Sequence, residues 1–522
     1  MERIAHSGKR EIEGSDHGSA TRGKIFSRYS RTPVRTAYAR LSAFQCVWFG
    51  GCLVWWLGLT TGLRIAQSLA MHGLIIFCLL LVLPNIVAKA GEKPNIIVIM
   101  ADDLGYNDLS CYGQKNFETP ALDRMAREGL RFTTHYAGAT VCLPSRCALM
   151  TGRDMGHASI RGNGDHTLDP AQETLLPMAL RQAGYRTAMI GKSSVHSTQD
   201  PTRPEVCGFD HFFGYLVHKA AHNHYPELLW RNGKEVPIDG NKNRRGSTYA
   251  EDLFHAEALQ WIEANQTHPF FLMLSLAVPH ADVSAPDEAI APFRGKFKEQ
   301  SLPQGSYAPT HEPLATHAAM VTRMDASIGR LLDFLRQRGL EKDTLVIFTS
   351  DNGGHSEGGH HYAHFQSNAP FRGGKRDLYE GGLRVPMLAW WPGTIQPRVS
   401  GHISASWDIF PTLAELAGIP PPKPSEGLSF APLVLGQGKQ PEHVSLYWEF
   451  HEMGGKQAAR MGRWKIVRLN VQSHPAGKPE LYDLENDPGE TTDLADQEPA
   501  ILARMIEIFS HRQPSAKRAW NF

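Results

Sequence analysis

Two pairs of oxygen-bearing side chains, Asp102-Asp103 and Asp351-Asn352, each follow closely on a short apolar run. The runs are Ile96-Ile97-Val98-Ile99-Met100 and Leu345-Val346-Ile347-Phe348. Segments of this composition and length read as strands buried on both faces of a parallel sheet. Carboxylates at such strand exits sit at the sheet's carboxyl edge, where open α/β sheets place their ligands. Carboxylate and amide oxygens without His or Cys suit a hard cation, calcium in preference to magnesium. A helix cap or turn would account for one Asp pair alone. Two such pairs, both at strand exits, weigh against that account.

The elements that must carry these residues alternate along the chain. Helices are predicted over 120–128, 174–183, 249–265 and 314–338, and strands over 187–190 and 269–276. The 314–338 helix has apolar residues at Met320, Met324, Ile328, Leu331, Leu332 and Leu335, which gives it one buried face. This order predicts an α/β fold, with a central mostly parallel sheet flanked by helices. From about residue 440 the pattern changes to short strands at 445–450, 458–461, 464–469 and 480–484. A terminal helix follows at 499–512, so a smaller C-terminal antiparallel sheet plus helix subdomain is expected. The expected division is a catalytic domain over 91–439 and an α+β subdomain over 440–522.

At 522 residues, 42% hydrophobic and 20% charged, the chain can bury a large core. A net charge of +1 gives no reason to expect nucleic acid as a partner. The first ninety residues read as separate from the fold. Residues 1–70 form a basic and hydrophobic extension whose uncharged run 42–63 is long enough to span a bilayer. Residues 71–90, with an apolar run at 73–83 and Ala88-Lys89-Ala90, resemble a signal peptide. We expect translation to start at Met71 and the protein to be exported, to a periplasm or outside the cell; an anchor through 42–63 is the alternative. Of seven cysteines, three lie in this N-terminal region. Cys111, Cys147 and Cys207 leave room for one bridge and form no disulfide framework.

Cys142-Leu143-Pro144-Ser145-Arg146, continuing through Leu149, Thr151 and Gly152, resembles the C-x-P-S-R core of the type I, formylglycine-dependent sulfatases. Outside this motif Cys142 would read as a buried structural cysteine. The similarity extends from Lys93 to the C-terminal helix. It includes Gly191-Lys192, Pro279-His280, Ser350-Asp351-Asn352-Gly353, the stretch from Arg372 to Pro386, and Leu481-Tyr482-Asp483-Leu484. The resemblance is to bacterial arylsulfatase-like members and implies the alkaline phosphatase superfamily fold. It also implies that a maturation enzyme oxidises Cys142 to formylglycine, and that Asp102, Asp103, Asp351, Asn352 and residue 142 hold the metal. Arg146 is implied to hold the hydrated aldehyde, Lys192 and Lys375 to contact the sulfate, and His280 to protonate the leaving alcohol.

One departure stands out. Many family members follow the lysine with W-H-L-G, whereas this chain has Ser193-Ser194-Val195-His196. Positions 194 and 196 of an extended segment face the same side, which makes His196 the candidate substitute for the missing histidine. His218, His222 and His224 lie in a loop-like segment, read as lining the substrate cleft with His222 in contact with substrate. The run containing His355, His360, His361 and His364 reads as a loop at the cleft rim rather than a transition-metal site. Trp448, Phe450 and His451 are candidates for the cleft wall, with core packing expected for the two aromatics.

The implied reaction is hydrolysis of an organic sulfate ester, on a sulfated small molecule or glycan, to an alcohol and inorganic sulfate. In it the calcium-activated hydrate at residue 142 attacks sulfur while Asp351 takes the hydroxyl proton. A phosphonate or phosphate ester hydrolase of the same superfamily, and a non-catalytic glycan-binding relic, are the alternatives.

Overall fold

The computed structural model describes residues 93–193, 199–200, 203–299, 303 and 305–522. The expected extension 1–70, the signal-like segment 71–90 and His196 lie outside the described residues. Among the described residues no helix is long and apolar enough to cross a membrane.

Eleven strands among these residues build one sheet. They are β1 (Asn95–Ala101), β2 (Leu130–Tyr136), β3 (Arg186–Lys192), β4 (His211–Tyr215), β5 (Leu228–Arg231), β6 (Lys234–Pro237), β7 (Phe270–Ser275), β8 (Thr344–Ser350), β9 (Arg384–Trp390), β10 (Arg398–Ser400) and β11 (Ser404–Ala405). Their order is β10-β2-β9-β8-β1-β7-β3-β4-β5-β6, with β11 beside β2. The centre from β8 to β4 is parallel, and β9 runs antiparallel to both β8 and β2. The fold is therefore α/β with a mostly parallel sheet, as the alternating pattern predicts.

The β1 residues are wholly buried, and alternate side chains enter different cores. Ile96, Val98 and Met100 face the helices Cys142–Thr151, Leu176–Gln182 and Ile409–Leu416. Ile97, Ile99 and Ala101 face Pro120–Glu128, Ala250–Asn265 and Pro313–Gln337. A strand covered by helices on both sides must be apolar throughout, which is why β1 and β8 stand out in the sequence.

The strand β9 is less visible, because Pro386 breaks its apolar run. Its ladder with β2 shifts register between Phe132 and His135, and Pro386 falls at that irregularity, between the paired residues Val385 and Met387. A bulge tolerates a residue that has no N–H to donate.

A second sheet is made of β12 (Leu446–Phe450), β13 (Lys456–Met461), β14 (Trp464–Leu469) and β15 (Pro479–Asp483), antiparallel throughout. One face packs Tyr447, Ala459, Ile466 and Leu481 on Met505 and Ile508 of the helix Pro499–Ile508. The other face sends Trp448, Phe450, Ala458 and Val467 into the main core. Trp448 donates its indole N–H to the Ala137 carbonyl at 3.0 Å. Both aromatics are thus core residues, and His451 binds the Glu449 carboxylate at 2.9 Å. Cys111, Cys142, Cys147 and Cys207 are all free, so the bridge left open among Cys111, Cys147 and Cys207 does not form.

The second sheet is also held by charge. Lys465 of β14 lies 2.9 Å from Glu380 and 2.9 Å from Glu490, all three side chains fully buried. Burial, reinforced by the Glu380 charge, pushes the Glu490 carboxyl from 4.5 up to about 7. Between those values the folded chain keeps a proton that the unfolded chain releases, so this group's contribution to stability is lost as pH rises through the window. Glu490→Gln cannot ionise. Its melting temperature relative to wild type is expected to rise as pH goes from about 4.5 to 7, as measured by calorimetry across that range. A constant difference would contradict this account.

Candidate active site

Strand register brings the separate motifs to one edge. Ala101 pairs with Ser350, Met100 with Ser275, and Ser275 with Gly191. The residues that follow these positions, Asp102, Asp351 and Lys192, therefore leave the sheet side by side. The Asp351 N–H donates to the Ala101 carbonyl at 3.2 Å, and the Asp103 N–H to Asp351 Oδ1 at 3.1 Å. Gly191 has φ +108°, and a Cβ there would lie 2.0 Å from the Ser275 carbonyl oxygen. Only glycine lets β3 and β7 run this close just before Lys192.

Cys142 opens the helix Cys142–Thr151, all of whose residues are buried. Pro144 is tolerated in the first turn, where N–H groups have no intrahelical acceptor. Gly152, left-handed at φ 71°, ends the helix by donating its N–H to the Ala148 carbonyl. Arg146 lies one turn after Cys142, on the same side. Its Nε and Nη2 donate to Asp351 Oδ2 at 3.0 and 2.7 Å. Its Nη1 donates to the Lys192 carbonyl at 3.2 Å and to Ser275 Oγ. Arg146 thus ties together the ends of β8, β3 and β7.

Ligand atoms of Asp102, Asp103, Cys142 and His280 all lie within 4.8 Å of one another, every one of these residues being buried. Asn352 joins them by donating Nδ2–H to Asp103 Oδ1 at 2.7 Å. Two acceptor oxygens here, Asp102 Oδ1 and Asn352 Oδ1, are buried without a hydrogen-bond partner among the described residues. Buried oxygens are seldom left unpaired. Their presence in a set of hard donors fits a divalent cation held by Asp102, Asp103, Asp351 and Asn352.

Buried cations pair with these carboxylates. Lys192 is fully buried with Nζ on Asp102 Oδ2. Lys375 Nζ reaches Asp103 Oδ2 at 2.7 Å, His280 Nε2 at 2.9 Å and Glu357 Oε2 at 2.9 Å. The His280 Nδ1–H donates to the Ala281 carbonyl, so Nε2 carries the lone pair that accepts from Lys375. Burial, and then the charges of Lys375 and Lys192, hold the imidazole well below its ordinary pKa and neutral. Burial would raise Asp102, but Lys192, Arg146 and Lys375 outweigh it and hold the carboxyl well below the usual range. Burial, with Asp102 adding to it, pushes the Cys142 thiol far up, so an unmodified cysteine here would be a protonated, poor nucleophile.

His222 stacks on His280 with ring centroids 4.3 Å apart, and Tyr307 lies 6.1 Å from His280. Beside them opens a cavity of about 560 Å³ lined by Lys219, His222, Asn223, Arg244 and Tyr307. His218 packs edge-on against His222, whereas His224 is buried and binds the His280 carbonyl at 2.9 Å, away from the cleft wall. The His-rich loop departs further from expectation: His355 and His360 are buried, not at a rim, because they pack under the helix Pro313–Gln337 against His317. Ser275 and Glu357 are site residues that the sequence does not reveal. Ser275 Oγ donates to the Lys192 carbonyl at 2.5 Å, and Glu357 pairs with Lys375 and, at 2.6 Å, with Arg376. Neither belongs to a motif whose spacing would have marked it.

Comparison with known proteins agrees with this geometry. The sulfatase family model matches residues 94–419, and the model described as N-sulphoglucosamine sulphohydrolase, C-terminal, matches residues 373–510. N-acetylgalactosamine-6-sulfatase of Mus musculus is 31% identical over 494 residues, covering 82% of this chain and 88% of that protein. Arylsulfatase A of Homo sapiens is 32% identical over 478 residues, covering 80% and 87%. Among solved structures, Ps i-CgsB superimposes with a TM-score of 0.67 at 29% identity, covering 81% of this chain and 94% of that one. With a family match over most of the described residues, and an α/β sheet of the alkaline phosphatase type, the chain belongs to the sulfatase family and is a sulfuric ester hydrolase.

Proposed function

We propose that the chain hydrolyses sulfate esters of carbohydrates, with residue 142 matured from cysteine to formylglycine and a calcium ion bound beside it. The observation that carries this reading is the convergence of Asp102, Asp103, Cys142 and His280 within 4.8 Å, facing Lys192 and Lys375. Formylglycine would supply a hydrated aldehyde whose hydroxyl is the nucleophile, and the cation would polarise the sulfate oxygens. Asp102, Asp103, Asp351, Asn352 and residue 142 are the proposed ligands of that ion.

The chain's own residues do the remaining work. Arg146 fixes Asp351 through two donors on one carboxylate oxygen, which sets the direction of the acceptor that takes the nucleophile's proton. Lys192 and Lys375 neutralise the sulfate oxygens. His280 Nε2 carries no proton of its own, so the proton for the departing alcohol oxygen comes from the Lys375 ammonium that donates to it, passed through Nε2 and leaving Lys375 neutral. His222 and the cavity beside it hold the alcohol portion, and His196 is the proposed stand-in for the family's second histidine.

A carbohydrate substrate is favoured by the relatives. One is named for N-acetylgalactosamine-6-sulfate, and Ps i-CgsB has been solved with k-i-k-neocarrahexaose. The cavity wall carries Lys219 and Arg244 beside Glu227, with Arg244 paired to Asp282 at 2.8 Å, a mixed polar lining suited to hydrogen-bonding a sugar. Export through residues 71–90, maturation by a formylglycine-generating enzyme, and a catalytic part over 91–439 followed by an α+β part over 440–522 complete the reading.

The test is release of sulfate from a panel of position-defined sulfated sugars, with aryl sulfate, aryl phosphate and phosphonate esters alongside. Preference for a sulfated sugar is expected, and turnover of phosphonate or phosphate esters alone would overturn the reading. Removing the metal with a calcium-selective chelator is expected to abolish activity. Calcium should restore it more fully than equimolar magnesium, because the flexible set of carboxylate and amide oxygens does not enforce an octahedron.

A further inference from the structure

Behind the active site, three histidines meet in the interior. His317 lies in the helix Pro313–Gln337, and His355 and His360 lie in the loop after β8, with exposures of 1%, 0% and 2%. One ligand nitrogen from each lies within 4.8 Å of the other two. The rings of His317 and His360 are stacked, centroids 3.8 Å apart and planes 5° from parallel. All four nitrogens of these two rings are buried without a hydrogen-bond partner among the described residues. A buried histidine is ordinarily a satisfied core residue, since even a neutral imidazole carries one N–H that needs an acceptor. Here two adjacent rings fail that condition together. Asp108 Oδ2 lies 3.9 Å from His317 Nε2, with Oδ1 likewise unpartnered, and carboxylate oxygens of Asp103 and Glu357 lie within 4.8 Å of His355.

We propose that His317, His355 and His360 form a second metal site, selective for a borderline transition-metal ion of the zinc class. Three imidazole nitrogens are the donor set such ions prefer, whereas calcium prefers the oxygens of the active site. Zn–N distances of about 2.0–2.1 Å imply nitrogens roughly 3.3 Å apart in a tetrahedral site, so the three must close inward. The stacked rings reach that arrangement by turning about χ2, a soft torsion for histidine. His355 now donates Nε2–H to the Pro279 carbonyl at 3.1 Å and accepts from the Glu357 N–H at 3.2 Å, and ligation exchanges one of these bonds. Asp108 is positioned to accept the second N–H of His317, the usual outer partner of a metal-bound histidine. The ion would pin the loop that carries Glu357 to the long helix, and through Pro279 it would adjoin His280.

None of the three histidines belongs to the cluster of Asp102, Asp103, Cys142 and His280, but His355 also lies within 4.8 Å of Asp103 and Glu357, so His317 and His360 carry the part of the test that is separate from the proposed catalytic chemistry. Its test uses the full chain, stripped of metals, loaded with calcium and then titrated with Co²⁺ as a spectroscopic probe. The expected result is one tightly held Co²⁺ per chain with visible ligand-field bands, displaced by Zn²⁺. His360→Gln and His317→Phe, the latter keeping the ring volume beside Phe365, should each weaken Co²⁺ binding by at least about 10–100-fold. Asp102→Asn should leave the spectrum unchanged. Wild-type protein that retains no Co²⁺ would overturn the proposal. So would an unaltered spectrum in His317→Phe, or loss of the spectrum in Asp102→Asn with His317 and His360 intact.

Discussion

Cys142→Ala is expected to lower kcat for sulfate release by on the order of 10⁴–10⁶, the range seen when a covalent nucleophile or its close partner is removed. The chain should still fold. Cys142 is buried at the first position of its helix, makes no disulfide, and alanine starts a helix at least as well. Inorganic sulfate should still protect the variant, because Lys192, Lys375 and His280 remain. Activity assays paired with peptide mass spectrometry check both halves. Wild-type activity from the alanine variant, or an intact thiol at 142 in fully active enzyme, would refute the assigned nucleophile.

Lys375→Met is expected to lower kcat by about 10²–10³, the usual loss for one donor to developing charge. Lys375 touches Asp103, His280 and Glu357, and its removal strips His280 Nε2 of its donor. Leaving-group dependence makes the prediction specific. An alkoxide leaving a sugar needs protonation more than a phenolate does. The variant should therefore lose more activity on a sulfated sugar than on an aryl sulfate. Steady-state kinetics on both substrates measure this, and equal losses would mean that Lys375 serves sulfate binding alone.

Legibility of the fold followed local composition. β1 and β8 were visible because a strand covered on both faces must be apolar along its length. β2 was not, because Arg131, Thr133 and Thr134 interrupt its apolar residues, and β9 was hidden by the proline at its bulge. The predicted helix 174–183 begins at Leu176, since Pro177 sets its first turn. In the site, the residues named in advance belong to contiguous motifs. Asp102, Asp103, Asp351, Asn352, Cys142, Arg146, Lys192, His280 and Lys375 do meet at one sheet edge. The histidine-rich loop misled because four histidines within ten residues look polar, and local pattern cannot say that a helix forty residues earlier covers two of them.

Chemistry carried by neighbours along the chain was therefore readable from the letters alone: the Cys142 to Arg146 motif, the hard-oxygen pairs and the apolar strands that deliver them. Contacts between residues far apart in the chain needed the folded molecule. Strand register aligned Asp102 with Asp351, Arg146 found Ser275, Lys375 found Glu357, and His317 found His360. Such pairings are set by how helices and strands pack, and packing selects among many partners that look equivalent along the chain.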